Sequence, residues 1–383
     1  MALRAKHAVV LAKIESVTGT DASPAAATDA VLVENPQVDP QVGVIETNEV
    51  TGSLDGAGPI VGGIRGRVTF DILLKGAGAA ASAPEFGKLL RACGWAETTT
   101  AAEVPAAPEA CAAGGTTSVA NLGASASSTA QAYRGMPVDL SGAVAGLAFI
   151  ADYTAAKAAT LTDLMGGAIA ATTSYQILRN VLYAPASAAI PSLTLYVHLD
   201  GILYKLTGCR GTFSIAIEAG GIGRISFELM GHVLSKTDAA VPAAPVYDAT
   251  RPPVWRGGRM LVNRGTAAVA RFGLDNGATL VMPGDPNRAE GFDHPIHTRR
   301  AMRGSMDPLE ELVATRDIMG DFRAGTRRIL HARFGTAPGN RIAVTVPQGH
   351  YTGQSPANRD ELLGVQVPFA CVGRDAGAFL CFY

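Results

Sequence analysis

The sequence predicts a mainly β fold: two tandem β-sandwich or barrel units, each with one packed α-helix, plus a small inserted β domain. Three observations predict it. Runs of alternating apolar and polar residues recur in both halves of the chain, the period-two signature of strands with one buried face. Only two stretches, SAPEFGKLLRACGW at residues 82–95 and ATRDIMGDFRAGT at 314–326, space their apolar residues as a helix does. Residues 96–187 have a different texture, rich in Ala, Ser and Thr. The expected organisation is a first, discontinuous unit at 1–95 and 188–235, an insert at 96–187, a proline-rich linker at 236–256, and a second unit at 257–383.

The elements follow in order. The first residues read as an N-terminal arm, and TDAVLVENPQV as the first strand. A long Gly-rich loop follows at 42–64. In RVTFDILLK, Val68, Phe70, Ile72 and Leu74 share one face, and Thr69, Asp71 and Lys75 the other. The first helix is expected to be capped by Ser82, with Glu85 completing a capping box. Phe86, Leu89, Leu90 and Cys93 form its apolar stripe, and Gly94 its left-handed stop. Such a helix has one face to bury, and a sheet is the surface available.

After the insert, SLTLYVHLDGILYKLTG carries Asp200-Gly201 between two alternating runs, a strong hairpin signal. GTFSIAIEAG and GRISFELMG supply two more strands, with Phe213, Ile215, Ile217, Ile225, Phe227 and Leu229 on the apolar faces. The second half repeats this order: strand TAAVARFGL, a long loop at 281–299, and RRAMRGSMDPLEEL, where Pro308 implies an edge or a bulge. A helix then follows, with Thr315 as cap, Ile318, Met319 and Phe322 apolar, and Gly325 as stop, and strands close the chain. The repeat is one of architecture rather than of letters.

Composition narrows the function. Of 383 residues, 48% are hydrophobic, many of them alanine, and 17% are charged; the formal net charge is −1. That balance gives no general attraction to nucleic acid or an anionic membrane. No run approaches the ~18 apolar residues of a membrane span. Lys13 interrupts the short apolar stretch near the N-terminus, so expression without export is expected. Five scattered cysteines (Cys93, Cys111, Cys209, Cys371, Cys381), with no CxxC pair, argue against a disulfide framework and a zinc site.

Sites for chemistry are weak. Asp293, His294 and His297 in GFDHPIHTRR lack a third strong ligand and the H-E-x-x-H spacing. GAGPIVGG has Val61 where a dinucleotide loop needs glycine. No G-x-S-x-G elbow exists, and Glu310-Glu311 reads as a solvated face. The expectation is no enzyme, no catalytic residues, no cofactor and no metal.

VVLAKIESVTGTDASPAAATDAVLVENPQV, RVTFDILLKGAG with APEFGKLLRACGW, and above all SLTLYVHLDGILYKLTGCRGTFSIAIEAGGIGRISFELMG resemble the major tail tube proteins of long-tailed (siphovirus-like) bacteriophages. So does APGNRIAVTVPQGHYTGQSPANRDELLGVQVPF. The insert is similar to a small β-module found in phage particle proteins. The resemblance implies tail-tube-type units and a structural virion protein. Six such units would close a ring, hence three chains, and stacked rings would make the hollow tail through which DNA is ejected. Its implied partners are further copies of itself, the tape measure protein, and tail tip and terminator proteins. Genomic DNA would pass through the lumen without specific binding, and no membrane partner is expected. Assembly would occur in the host cytoplasm, with residence in the virion tail. A tail-tip or terminator ring, or a virion adhesin, is the alternative; a β-sandwich hydrolase would need a carboxylate pair or triad that the sequence does not offer. Two further expectations follow for such a tube: the loops at 42–64 and 281–299 reach the adjacent ring, and few unpaired Lys or Arg line the lumen, since a basic lining would hold phosphates.

Overall fold

The computed structural model describes residues 3, 4, 6–55 and 58–383. An 18-stranded antiparallel network dominates it, with a 6-stranded sheet and a 2-stranded sheet beside it. The fold is mainly β, with two short helices, Gly87–Ala92 and Ile318–Ala324.

The part of the network that matters most for function is one continuous curved sheet. Four strands come from the first half, in the order Glu34–Ile45, Ile60–Leu73, Arg224–Asp238 and Ile202–Glu218. Four come from the second half, in the order Val269–Asp275, Arg303–Pro308, Leu362–Cys371 and Ser355–Arg359. The two sets join along one ladder, where Ile215 faces Leu274 and Ile217 faces Phe272.

Alternation fixes which face is buried. Phe70, Phe227 and Phe213 lie opposite one another on adjacent strands, with successive ring centroids 5.8 Å apart. Ile72, Ile225 and Ile215 form the next row. Each buried side chain of this size contributes about 1.5–3 kcal/mol relative to exposure. A one-residue slip would turn every one of them into water, so the register is strongly specified. The same core cluster continues into the second half through Phe272, Met306, Val367 and Phe369.

The segment read as an N-terminal arm is instead a core strand. Ala8–Ile14 pairs with Leu193–Leu199 along its whole length, and Val9, Val10, Leu11 and Ala12 are buried. Its alternation is weak because both faces are covered. Leu199 and Ile202 then flank the hairpin turn, with Asp200 and Gly201 at φ 42° and 103°.

The first helix keeps its stripe, and both helices change their caps. Phe86, Leu89, Leu90 and Cys93 are fully buried. The first helix begins at Gly87, with no side-chain cap, instead of at Ser82. Glu85 has been drawn into tertiary contacts: its carboxylate accepts from Leu32 N and Asp248 N and pairs with Lys75 at 3.3 Å. At the second helix Asp317, not Thr315, is the cap, accepting from Gly320 N, and Gly325 ends it at φ 65°. Met319 is exposed there while Ile318 is buried. Pro308 sits at the end of an interior strand, beside a register shift in the ladder to Val269–Asp275, so the bulge reading holds and the edge reading does not.

Residues 104–177 make the separate 6-stranded sheet. The strands on either side of it, Trp95–Thr100 and Asn180–Pro185, pair with each other and belong to the main network. The small sheet interrupts the first half of the chain but docks on the second. Its core includes Ala343, Phe379, Cys381 and Tyr383, and Phe149 packs 5.2 Å from Tyr383 and 4.6 Å from His331. Asp163, buried in the small sheet's margin, pairs with Arg259 at 2.8 Å and Arg333 at 3.2 Å. The module is therefore held in a fixed orientation.

Candidate assembly edges, arms and open face

Three features of the curved sheet bear on function. The first is its pair of margins. Among the described residues, Glu34–Ile45 pairs only with Ile60–Leu73, and Ser355–Arg359 pairs only with Leu362–Cys371. Each margin leaves a row of backbone donors and acceptors unpaired, a template for another strand. Pro36, Pro40 and Pro356 lie in these margins. A proline has no N–H to give, so it can occupy a paired strand only where its nitrogen faces away from the ladder. The prolines thin the donors along both open edges and restrict which registers a partner strand can adopt.

The second feature is a pair of arms. The residues 42–64 expected as a loop begin and end in strand: Val44 pairs with Val61 and Ile45 with Ile60. The last contact of this ribbon with the sheet is Gly66 opposite Gly231, so residues 60–65 pair with the ribbon's other strand alone. The span 281–299 likewise takes in parts of two short strands, Ala278–Val281 and Ile296–Arg300, which form a second arm at the same end. The arms brace each other: Ile64 N donates to Glu290 O at 3.0 Å, and the Arg65 guanidinium lies 4.7 Å above the Phe292 ring. Gly56 and Ala57, part of the string weighed as a dinucleotide loop, lie outside the described residues, and Ile60–Gly63 of that string is strand.

Asp293, His294 and His297 are not brought together as ligands. His294 enters a slot between Gly19 and Gly208, where a Cβ at either position would overlap the imidazole. His297 Nε2 instead meets Gly211 O at 2.9 Å. Beside the slot, the buried Glu15 carboxylate accepts from Gly19 N, Gly208 N, Ser192 Oγ and Thr194 Oγ1. No cluster of three or more metal-type ligands occurs among the described residues.

The third feature is the open face. Opposite the aromatic rows, the strands present Thr69, Asp71, Thr212, Ser214, Ser226 and Glu228 around a shallow concavity. Four arginines stand on this face, each beside a carboxylate: Arg67 with Glu228 at 2.8 Å, Arg224 with Glu34 at 3.5 Å, Arg271 with Glu218 at 3.2 Å, and Arg303 with Asp275 at 3.6 Å. Asp71 is left over and accepts from Ser226 Oγ at 2.6 Å. Exposed pairs of this kind contribute at most about 1 kcal/mol each to stability. Their effect here is to give each of these four arginines a compensating carboxylate. These pairs were not legible in the sequence, because register alone decides which carboxylate meets which arginine.

The cysteines carry no reactive signature. All five are free, four are buried, and burial pushes the Cys111 thiol up to about 11 and Cys371 up to about 12. No described helix is long and apolar enough to cross a membrane.

Two open sheet margins and projecting arms on a mainly β protein are the features of a protein that assembles with further copies through its strand edges. The family described as phage tail tube protein matches residues 5–371, nearly the whole chain, and the protein belongs to that family. A search of curated proteins finds no match. Membership makes the chain a structural component of a bacteriophage virion tail that assembles with itself into a tube.

Proposed function

We propose that this chain is the major tail tube subunit of a siphovirus-like phage, and that three copies close a pseudo-sixfold ring. The observation that carries this is the continuous run of four strands plus four, joined at Ile215–Leu274 and open at both ends. The seam inside the chain provides the pattern: the edge of one four-strand set receives the edge of the next. Repeating it between chains places Ser355–Arg359 of one copy beside Glu34–Ile45 of another and leaves no margin unpaired.

In this reading the open face lines the lumen. Its compensated arginines give DNA phosphates no site at which to release counterions, so the genome slides. The chain acts without catalysis or cofactor. The division at 1–95 with 188–235, 96–187, 236–256 and 257–383 is kept as part of the proposal. The network placement of residues 95–100 and 180–185 favours drawing the insert slightly narrower. Assembly takes place in the host cytoplasm, and the tape measure, tip and terminator proteins bound the tube.

Electron microscopy of purified protein at rising concentration, with light-scattering mass on the smallest ring, tests the reading. Uniform hollow tubes and a ring of three chains support it. A six-chain ring overturns the stoichiometry, and compact monomers at every concentration overturn the role.

A further inference from the structure

Alternation along the closing strands places a cleft between the inserted sheet and the second half. Ile342 and Val344 point into the main core, while Ala343 between them belongs to the insert's core. Leu380 and Phe382 face the main core in the same way, and Cys381 and Tyr383 face the insert. The seam between the two sheets therefore lies across the main core from the open face. Register then brings three arginines to the seam. Arg259 lies opposite Arg333, and Arg333 opposite Ala343. Arg341 stands two residues before Ala343, so the pleat turns it to the same side. All three line an open cleft of about 530 Å3.

The charges here are not balanced one for one, as those of the four open-face arginines are. Like charges directly opposite each other weaken a sheet, yet Arg259 and Arg333 share one carboxylate. Asp163 Oδ1 lies 2.8 Å from Arg259 and 3.2 Å from Arg333, and its Oδ2 accepts from Thr162 Oγ1. Arg341 donates to Thr336 O at 2.9 Å and stands 5.8 Å from the Tyr383 ring. It has no carboxylate within 4 Å among the described residues; Asp139 feels its charge without pairing. The main-chain oxygen of Tyr383 is already taken by Gly339 N and Arg341 N.

We infer that this cleft binds a phosphate ester with a sugar-sized body. Guanidinium forks match phosphate oxygens in pairs. A tetrahedral phosphate can accept from three arginines at once, whereas a planar carboxylate presents only two oxygens. The site is partly built before binding: Arg333, only 12% exposed, is held by Leu147 O at 2.7 Å and by Asp163. Such fixing lowers the ordering cost of association. Leu147 and Tyr383 give the body of the ligand an apolar wall. The volume falls within the range of small-molecule sites, about 300–1,000 Å3. With the open face lining the lumen, the cleft lies on the outside of the tube; that placement alone rests on the tube reading.

Titration calorimetry of the full chain tests the site with two probes, glucose-6-phosphate and a short glycerol-phosphate oligomer. Both should bind saturably, while glucose and glucuronate at the same concentration should not. Arg341→Gln leaves the Asp163 pairs intact and should weaken binding about tenfold or more, with an unchanged melting temperature. Arg67→Gln, on the open face, should bind as wild type does. Tighter binding of the oligomer per phosphate would support a phosphate-linked polymer as the source, and tighter binding of the sugar phosphate a free ester. No saturable binding of either probe, equal binding of glucuronate, or wild-type affinity in Arg341→Gln would overturn the proposal. Assembled tubes should bind as the soluble chain does, and loss of binding there would overturn the outward placement. Failure of the wild-type chain to form tubes would instead count against the tube subunit reading and leave the site standing.

Discussion

His232 and His294 stack inside the protein with ring centroids 4.3 Å apart, joining the core strand Arg224–Asp238 to the second arm. Both are buried, and His232 Nε2 and His294 Nδ1 have no hydrogen-bond partner. Burial first, and the neighbouring His232 second, hold His294 below the ordinary imidazole range; Arg288 acts in the same direction, while Asp293 and Glu15 oppose it. Burial likewise lowers His198, His297 and, well below its usual value, His331. Each of these groups takes up a proton more readily in the unfolded chain. Their contribution is therefore complete above the unfolded value, about 6.5, and is lost as pH falls below it toward the depressed folded values. The urea midpoint should drop between pH 7.5 and 5. His294→Gln should be less stable than wild type at pH 7.5, with the gap narrowing at pH 5; a constant gap would show that His294 does not titrate in this range.

Asn276 ties the two halves of the chain at a fully buried point. Its Oδ1 accepts from Trp95 Nε1 at 2.9 Å, and its Nδ2 donates to Cys93 O at 3.0 Å. Asn276→Leu leaves both partners unsatisfied in a dry site, at about 1–3 kcal/mol each. Chemical denaturation should show a loss of about 2–6 kcal/mol, with Asn276→Asp intermediate because one acceptor survives.

Gly87 lies in the first helix, where propensity alone favours alanine by about 1 kcal/mol. A Cβ there would collide with the Tyr183 hydroxyl, which donates to Glu97 Oε2 at 2.6 Å. Gly87→Ala should therefore destabilise, by roughly 1–3 kcal/mol. In a Tyr183→Phe background the penalty should shrink, since the colliding oxygen is gone. Thermal melts of the four proteins give the coupling directly.

The open face makes a separate prediction. Changing Glu34, Glu218 and Glu228 to Gln and Asp275 to Asn keeps shape but strips each arginine of its partner. Assembled tubes of this variant should retain fluorescent duplex DNA, with retention falling steeply as salt rises. Wild-type tubes should retain none at the same ionic strength.

Thiol accessibility provides a simple check on the core. Cys93, Cys209 and Cys381 are buried, with their thiols raised by burial as well. At pH 8 the native protein should react with a thiol reagent only slowly, and mainly at the half-buried Cys371. All five should react after denaturation. Rapid native labelling of Cys93 would contradict the packing of the first helix.

Alternation alone was enough to place Phe70, Ile72, Phe213, Ile215, Ile225 and Phe227 on one buried face, because a half-buried strand writes its period into its side chains. The Asp200-Gly201 turn and the glycine stops at Gly94 and Gly325 were equally legible, since each needs a backbone angle that glycine or a short polar residue accepts. Ala8–Ile14 was not, for a strand covered on both faces loses its period. Nor were the caps, because Glu85 served distant amides instead of its own helix. Only the tertiary structure decided which arginine meets which carboxylate and that the inserted sheet docks on the far half of the chain. These depend on register and on contacts between residues far apart in sequence, and local side-chain pattern carries no record of either.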